Sequence, residues 1–152
     1  MRRKDREIKE RSTIEEIIRQ SQVCRLAMVD QDKPYVVPMN FGFKWPYLYF
    51  HSAREGRKIE VLRKNPQVCF EFDHLIKLKK NKEACEWGLA YTSVIGEGKA
   101  VLVEDIKEKE LALGVIMAQY SDRQFIFPQE TLEKTAVIQV LITQISGKQC
   151  GI

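Results

Sequence analysis

The chain has 152 residues and a net charge of +4, with 44% hydrophobic and 30% charged residues. This length and composition are typical of one soluble globular domain with a core of its own. No apolar run approaches the roughly 20 residues of a membrane-spanning helix, and no apolar segment follows the basic N-terminus, so we expect neither a membrane protein nor a secreted one. We expect a cytoplasmic protein in which residues 1–152 form a single domain and residues 1–11 are a mobile N-terminal segment.

The four cysteines predict neither disulfides nor a metal site. Cys24, Cys69, Cys85 and Cys150 are scattered without a Cys-x-x-Cys pair, and no histidine stands at zinc-ligand spacing. We therefore expect reduced thiols, with the first two packed in strands as small core residues. A metal site built from Cys85 and His74 has no further support in the sequence.

The basic run KLKKNK, from Lys77 to Lys82, does not predict a nucleic-acid site. A run of charges is most often a solvated segment, and this one lacks the interleaved aromatic residues on which bases stack. We expect no nucleic-acid partner.

The first half of the chain predicts a helix and three antiparallel strands. The helix is STIEEIIRQ, which opens with a capping-box pattern and carries an apolar stripe. The strands are VCRLAMV, YVVPMNFGF and YLYFHS, and turn residues separate them. Pro38 cannot donate a hydrogen bond to a neighbouring strand, so it marks a sheet edge or a bulge.

The segment GRKIEVLRK predicts a short basic helix that ends before Pro66. Ser52 and Glu55 fit a capping box, which places the helix start at Ser52. Arg57 and Lys58 then lie near a helix N-terminus, where the partial positive charge of the helix disfavours cations unless an anion joins them. Free N–H groups, a glycine and two cations are typical of a phosphate site. The alternative is that both side chains point into solvent.

The second half of the chain predicts two strands, a helix and a last strand. The segments, in order, are QVCFEF, the mobile loop DHLIKLKKNKEA, the long strand WGLAYTSVIGEGKAVLVE, the helix DIKEKELALGVIMAQY and the strand AVIQVLITQIS. Gly96 and Gly98 within the long strand indicate a bend or a bulge. Strands joined by tight turns favour a small antiparallel barrel with helices packed outside, because a parallel sheet would need regular alternation of strand and helix.

Three segments resemble one known family. PYVVPMNF, LYFHSAREGRKIEVLRKNPQVCFEF and CEWGLAYTSVIGEGKAVLVEDIKEKELAL are similar to the pyridoxamine 5′-phosphate oxidase-like split-barrel superfamily, in the branch of flavin-binding proteins related to 5-nitroimidazole resistance proteins. The resemblance runs from about Cys24 to Gly147. It implies a mainly β fold, a six-stranded antiparallel split β-barrel with α-helices, that forms a homodimer and binds FMN at the subunit interface.

The resemblance assigns the isoalloxazine ring of FMN to the second strand. The residues lining the ring would be Val37, Pro38, Met39 and Asn40, through backbone groups and the side chain of Asn40. An asparagine in a strand is disfavoured, which supports a functional role, although it could also pair with neighbouring backbone.

The ribityl chain and the phosphate of FMN are assigned to the end of the third strand. His51 and Ser52 would lie beside them, and Arg57 and Lys58 would hold the phosphate. The resemblance also places His51 in the active site, as the candidate catalytic residue. The alternative is a histidine at the rim of the barrel with its hydrogen bonds satisfied.

The long strand supplies the last candidates, Tyr91, Ser93 and Val94, of which Ser93 would reach the cofactor. Packing is the alternative explanation for Tyr91. The function implied is an FMN-dependent oxidoreductase that passes electrons or hydride from a reduced donor to a small acceptor such as a nitroaromatic compound.

Three other functions stay open: a non-enzymatic flavin-binding protein, a haem-binding split barrel, and a pyridoxamine phosphate oxidase-like enzyme. Haem would need a histidine that faces a large apolar pocket. The oxidase has an additional arginine-containing substrate motif near its C-terminus, whereas this chain ends SGKQCGI. We therefore expect that pyridoxamine phosphate is not the substrate.

Overall fold

The structure of the protein, a computed structural model, describes residues 3–151, apart from the side chain at position 75. Its strands are β1 (Glu7–Ile8), β2 (Cys24–Asp30), β3 (Lys33–Met39), β4 (Gly42–Lys44), β5 (Tyr47–Ala53), β6 (Gln67–Lys79), β7 (Gly88–Val103) and β8 (Thr135–Cys150). Its helices are α1 (Arg11–Gln20), α2 (Arg57–Lys64), α3 (Ile106–Ala118) and α4 (Gln129–Lys134). Short 3₁₀ turns cover Lys4–Arg6 and Ala84–Glu86.

All strand pairs in the sheet are antiparallel, and the strand order is β3-β2-β6-β7-β8-β5-β4, with β1 added to β8. The predicted fold class, a mainly β split barrel with helices, is confirmed. The strand count differs from the six expected: six long strands are accompanied by the two short ones, β1 and β4. Within residues 3–151 the edge strands β3 and β4 do not pair with each other, so the sheet stays open between them.

One face of the sheet carries the core. Along β7 alternate side chains are buried, as the two-residue period of a strand requires. Four phenylalanines fill the interior with no exposed surface, namely Phe41, Phe50, Phe70 and Phe72. Burial of one such side chain stabilises the fold by about 1.5–3 kcal/mol, and α1 and α2 pack on this aromatic cluster.

The two glycines of β7 lie where the sheet bends, which confirms the predicted bulge. The pairing of β7 with β8 shifts between Glu97 and Gly98, where β8 has one extra residue. A Cβ atom at Gly96 would lie 2.2 Å from Cζ of Phe70, and one at Gly98 would lie 2.6 Å from the carbonyl oxygen of Leu141. Only glycine leaves room for these close approaches.

The predicted start of α2 at Ser52 is wrong. Ser52 is still part of β5, opposite Ala136 of β8, and the helix begins five residues later at Arg57 with Gly56 as its N-cap. Pairing with β8 therefore outweighs the local capping-box pattern. In α1 too, the first helical residue precedes the predicted cap: the helix begins at Arg11, and its N-cap Glu10 makes no side-chain cap hydrogen bond.

The loop predicted after residue 72 is also wrong, because β6 continues to Lys79. Lys77, Leu78 and Lys79 pair with Ala90, Leu89 and Gly88 of β7. The pairing shifts between His74 and Lys77, so a bulge interrupts the ladder and the strand resumes beyond it. The alternation of lysine with apolar residues suits a two-stranded extension better than a loop.

The N-terminal segment contains ordered elements. Met1 and Arg2 lie outside the described residues, as does Ile152. From Lys4 onward the chain forms a 3₁₀ turn and then β1, and the side chain of Ile8 is 7% exposed within the core. A mobile segment was expected over residues 1–11, and the packing of Ile8 against Gly147 attaches its second half to β8. Within residues 3–151, every helix is too short or too polar to cross a membrane.

Candidate functional site

The junction between β5 and α2 presents free hydrogen-bond donors. Gly56, the N-cap of α2, has a φ of +120°, a conformation that side chains other than hydrogen rarely allow. Its carbonyl oxygen accepts from the N–H groups of Ile59 and Glu60. Among the described residues, the N–H groups of Arg57 and Lys58 have no acceptor. Two donors at the positive end of a helix are thus available to an anion.

Lys58 extends this group of donors toward β5. Its Nζ donates to Oγ of Ser52 at 2.7 Å, and the side chain is half-buried. The ammonium group is therefore positioned by the fold and does not extend into solvent. Ser52, Lys58 and the free N–H groups together form one donor set that carries positive charge.

Arg57 connects α2 to the β2–β3 hairpin. Its Nε donates to Oδ2 of Asp30 at 2.9 Å, and its guanidinium lies 4.3 Å from the ring centre of Tyr35. The side chain remains 52% exposed, so an approaching anion can reach it. The structure thus holds Arg57 against the hairpin and Lys58 against β5, and the alternative of cations that merely point into solvent does not describe them.

His51 precedes Ser52 on β5 and lies on the opposite face of the strand, since successive side chains alternate. Burial, and then the charge of Lys58, lower the pKa of His51 below its ordinary value. The imidazole is therefore neutral at neutral pH, with one nitrogen able to donate and the other able to accept.

The predicted ring strand is β3, an edge of the sheet. Val37 and Met39 are half-buried against the core, whereas Pro38 and Asn40 are exposed. β3 pairs with β2 on one side only, so among the described residues its outer backbone groups are free. Pro38 lies at a sheet edge, as predicted.

The candidates on β7 lie far from the β5–α2 junction in one chain. Val94 is fully buried in the core, while Tyr91 and Ser93 lie on the other face of the sheet. Ser93 pairs with Lys148 of β8, and His51 pairs with Val137 of the same strand. The two partners, Val137 and Lys148, are eleven residues apart on β8, or roughly 36 Å along the strand. One chain therefore does not bring all the predicted residues together.

Some residues near these positions were not singled out by the sequence. Asp30 lies in the segment between the first two predicted strands, and it orients Arg57. Lys148, together with Ser93, Ile95 and Ser146, lines a cavity of about 270 Å³, and its Nζ lies 5.6 Å from the ring centre of Tyr91. Lys148 lies two residues beyond the last predicted strand, which ended at Ser146, so no signal in the sequence placed it opposite Ser93.

Tyr120 is a further residue that the sequence did not reveal. Its hydroxyl oxygen accepts from the N–H of Phe41 at 3.0 Å and donates to the carbonyl of Gln22 at 2.9 Å. Because Phe41 follows Asn40 directly, this tyrosine fixes the end of the predicted ring strand.

Residues 10–149 match the family model for pyridoxamine 5′-phosphate oxidase. The chain belongs to this family. The predicted family resemblance is thereby confirmed, and the match covers the β5–α2 junction, β3 and β7 together. Among curated proteins no sequence matches the chain significantly.

Several solved structures are similar to this member of the family. A candidate 5-nitroimidazole antibiotic resistance protein from Bacteroides thetaiotaomicron is 37% identical, with 93% of this chain and 85% of that one covered and a TM-score of 0.85. A candidate pyridoxamine 5′-phosphate oxidase from Listeria innocua is 28% identical, with 88% and 94% covered and a TM-score of 0.59. A flavocytochrome from Azotobacter vinelandii is 20% identical, with 100% and 72% covered and a TM-score of 0.84, a likeness of fold alone.

Proposed function

We propose that the protein binds FMN and is an oxidoreductase that passes electrons or hydride from a reduced donor to a small acceptor. The observation that carries the proposal is the donor set at the start of α2. It combines two free N–H groups, the ammonium of Lys58 and the guanidinium of Arg57. A phosphate monoester carries nearly two negative charges at neutral pH, and this donor set matches it in sign and in hydrogen-bond capacity.

The other parts of the flavin fit the surrounding surface. The free edge of β3 offers backbone donors and acceptors to the polar rim of the isoalloxazine ring, and the exposed side chain of Asn40 extends this edge. Arg57, stacked on Tyr35 of β3, joins the phosphate end to the ring strand. FMN is the flavin that the family resemblance implies, and its terminal phosphate suits this donor set.

The bound flavin supplies the hydride and electron chemistry. The chain would hold the phosphate and orient the ring, and His51, on the opposite face of β5 from Ser52, supplies a neutral imidazole. A neutral imidazole can accept a proton, which is one part of a proton-coupled reduction.

A nitroaromatic compound is the acceptor class that the comparisons favour. The Bacteroides protein described as a candidate 5-nitroimidazole resistance protein shares 37% of its residues with this chain over 93% of the chain length. A small planar acceptor would stack over the ring and need few protein contacts.

A homodimer with FMN at the subunit interface accounts for the distance between the α2 start and the β7 candidates within one chain. Ser93 and Tyr91 lie on the outer face of the sheet, far from the α2 start. In a two-fold assembly, each flavin site would take the α2 start from one chain and the β7 face from the other.

Haem binding has less support than flavin binding. The sequence contains two histidines. His51 lies beside the charge of Lys58, and His74 lines a cleft together with Asp73 and Arg25. Neither histidine faces the apolar pocket that a haem ligand needs.

The test is a visible spectrum of the purified protein, followed by titration with FMN, FAD and haem. We expect a flavin spectrum, FMN binding tighter than FAD binding, and bleaching of the bound flavin by NADH or NADPH. Colour should return when a nitroaromatic compound is added without oxygen. A protein that binds no flavin would refute the proposal, and a bound flavin that no donor reduces would leave a flavin-binding protein without reductase activity.

A further inference from the structure

A second group of basic residues surrounds a cleft on the other side of α2. The cleft lies between α2, the end of β7, the start of α3 and the start of β8. Its lining contains three cations and one carboxylate: Arg54, Arg63, Lys109 and Glu104. The formal charge around this one small cleft is therefore +2.

Lys109 forms the buried part of the cleft. The residue is 4% exposed, and its Nζ donates to the carbonyl oxygens of Thr135 at 3.1 Å and Leu132 at 3.4 Å. These carbonyls belong to the C-terminal end of α4, so the ammonium caps the negative end of a helix. An ammonium group has three N–H donors, and two of them are used here.

Within residues 3–151, no carboxylate neutralises this buried charge. Among the described residues, no Asp or Glu oxygen lies within 4.0 Å of Nζ of Lys109. A buried charge is normally paired, because its removal from water is costly. An anion in the cleft would supply the missing counter-charge.

Arg54 and Arg63 lie at the exposed mouth of the cleft. Nη1 of Arg54 donates to the carbonyl of Glu133 at 3.0 Å, which leaves its other N–H groups free among the described residues. Arg63 forms no ion pair within residues 3–151. Planar guanidinium groups suit the paired oxygens of phosphate and sulfate.

We propose that this cleft is a binding site for a phosphate group, separate from the donor set at the α2 start. The interior of the cleft measures about 20 Å³ in all, which admits one water-sized atom group. One oxygen would enter this interior toward Lys109, while the remaining oxygens would meet Arg54 and Arg63 at the mouth. Glu104 at the rim weakens the attraction and disfavours ligands with several phosphates.

The two sites use different faces of α2. Ile59 and Arg63, one helical turn apart, line the cleft, whereas Arg57 points toward Asp30 and Tyr35. The proposal therefore does not depend on the identity of the cofactor at the α2 start.

The test measures binding of inorganic phosphate by calorimetry, in phosphate-free buffer, to full-length protein that is saturated with FMN. If FMN does not bind, the Arg57→Ala, Lys58→Ala double variant replaces the saturated protein, because these changes remove the first anion site. We expect one phosphate per chain, with binding that weakens as salt is added.

Arg63→Gln and Arg54→Gln should each weaken phosphate binding by roughly tenfold or more, because a hydrogen bond to a charged group is lost. Both residues are exposed, so both variants should fold. Arg57→Gln is the matched control and should leave this second affinity unchanged, while Arg63→Gln should leave FMN affinity unchanged. A parallel titration with phenyl phosphate distinguishes free phosphate from a phosphomonoester ligand. Absence of saturable binding, or equal binding by the Arg63→Gln variant, would overturn the proposal.

Discussion

Two groups of basic side chains flank α2, and they differ in what holds them. At the helix start, Arg57 is about half exposed and Lys58 half-buried, and their partners are the side chains of Asp30 and Ser52. In the cleft, Lys109 is 4% exposed and its partners are backbone carbonyls. Side-chain partners can release a cation to a ligand, whereas carbonyls at a helix end need that cation to remain satisfied. Loss of the first group should therefore weaken binding, and loss of Lys109 should weaken the fold.

The largest expected effect is on cofactor affinity. The double variant Arg57→Ala, Lys58→Ala removes both charged partners of the phosphate, so FMN affinity should fall by roughly 100-fold or more. Its free energy of unfolding should change by less than about 1 kcal/mol, since the Arg57–Asp30 pair is exposed. Fluorescence titration and urea unfolding measure the two quantities. The control is Lys64→Ala with Lys107→Ala, two exposed lysines outside the site. Unchanged FMN affinity in the double variant would remove the phosphate assignment.

The second prediction concerns the two parts of the proposed flavin site, the α2 start and the face of β7 around Ser93, which lie near opposite ends of β8. Each part is called a half-site. Ser93→Trp should block the β7 half-site, and the Arg57→Ala, Lys58→Ala variant lacks the α2 half-site, so each variant alone should bind FMN weakly. When the two are unfolded together and refolded, each mixed dimer combines one intact α2 start with one intact Ser93. We expect binding to return, with one FMN per mixed dimer, in an equilibrium titration. If the mixture binds no better than its components, the flavin site does not span two chains.

The third prediction addresses the buried cation. Lys109→Met keeps the side-chain length but removes the donor to the carbonyls of Leu132 and Thr135, so the free energy of unfolding should fall by about 1–3 kcal/mol. Lys107→Met, on an exposed face of the same helix, should change it by less than about 0.5 kcal/mol. Urea unfolding followed by circular dichroism compares the two. Equal stability of the two variants would mean that α4 does not depend on this cap.

The smallest expected effect is a shift in the titration of His51. Burial and the charge of Lys58 both lower its pKa, with burial the larger cause. Lys58→Met should therefore raise the pKa of His51 part of the way to its ordinary value, and bound FMN should do the same in the unaltered protein by neutralising that charge. NMR signals of the imidazole ring, followed against pH, measure the change. A pKa that stays the same in Lys58→Met would place the two side chains too far apart to interact.

The sequence predicted those features that depend on local pattern. The class of the fold, the glycine-dependent bulge of β7 and the edge position of Pro38 followed from periodicity and from the chemistry of two residue types. The family was predicted from segments that spread over most of the chain, and the model match over residues 10–149 agrees.

Features that depend on distant pairing could not be predicted in this way. Ser52 fitted a helix cap, but its strand pairs with a β8 segment more than 80 positions later, and that pairing extends β5 past the apparent cap. The hairpin that carries Lys77 and Lys79 looked like a loop because a bulge breaks its alternation near His74. The capping of α4 by Lys109 joins two segments with no shared pattern. Helix α4 itself was not predicted.

The open edge at β3 also has a consequence for solubility. A free strand edge is a template on which a strand of another molecule can add, and this leads to aggregation. β3 contains Pro34 and Pro38, four residues apart and therefore with their nitrogens on the same side of the strand. Proline nitrogens in edge strands face away from the neighbouring strand, and they carry no hydrogen to donate. The edge can thus stay open to a small ligand, while two of its residues cannot donate hydrogen bonds to a strand of another chain.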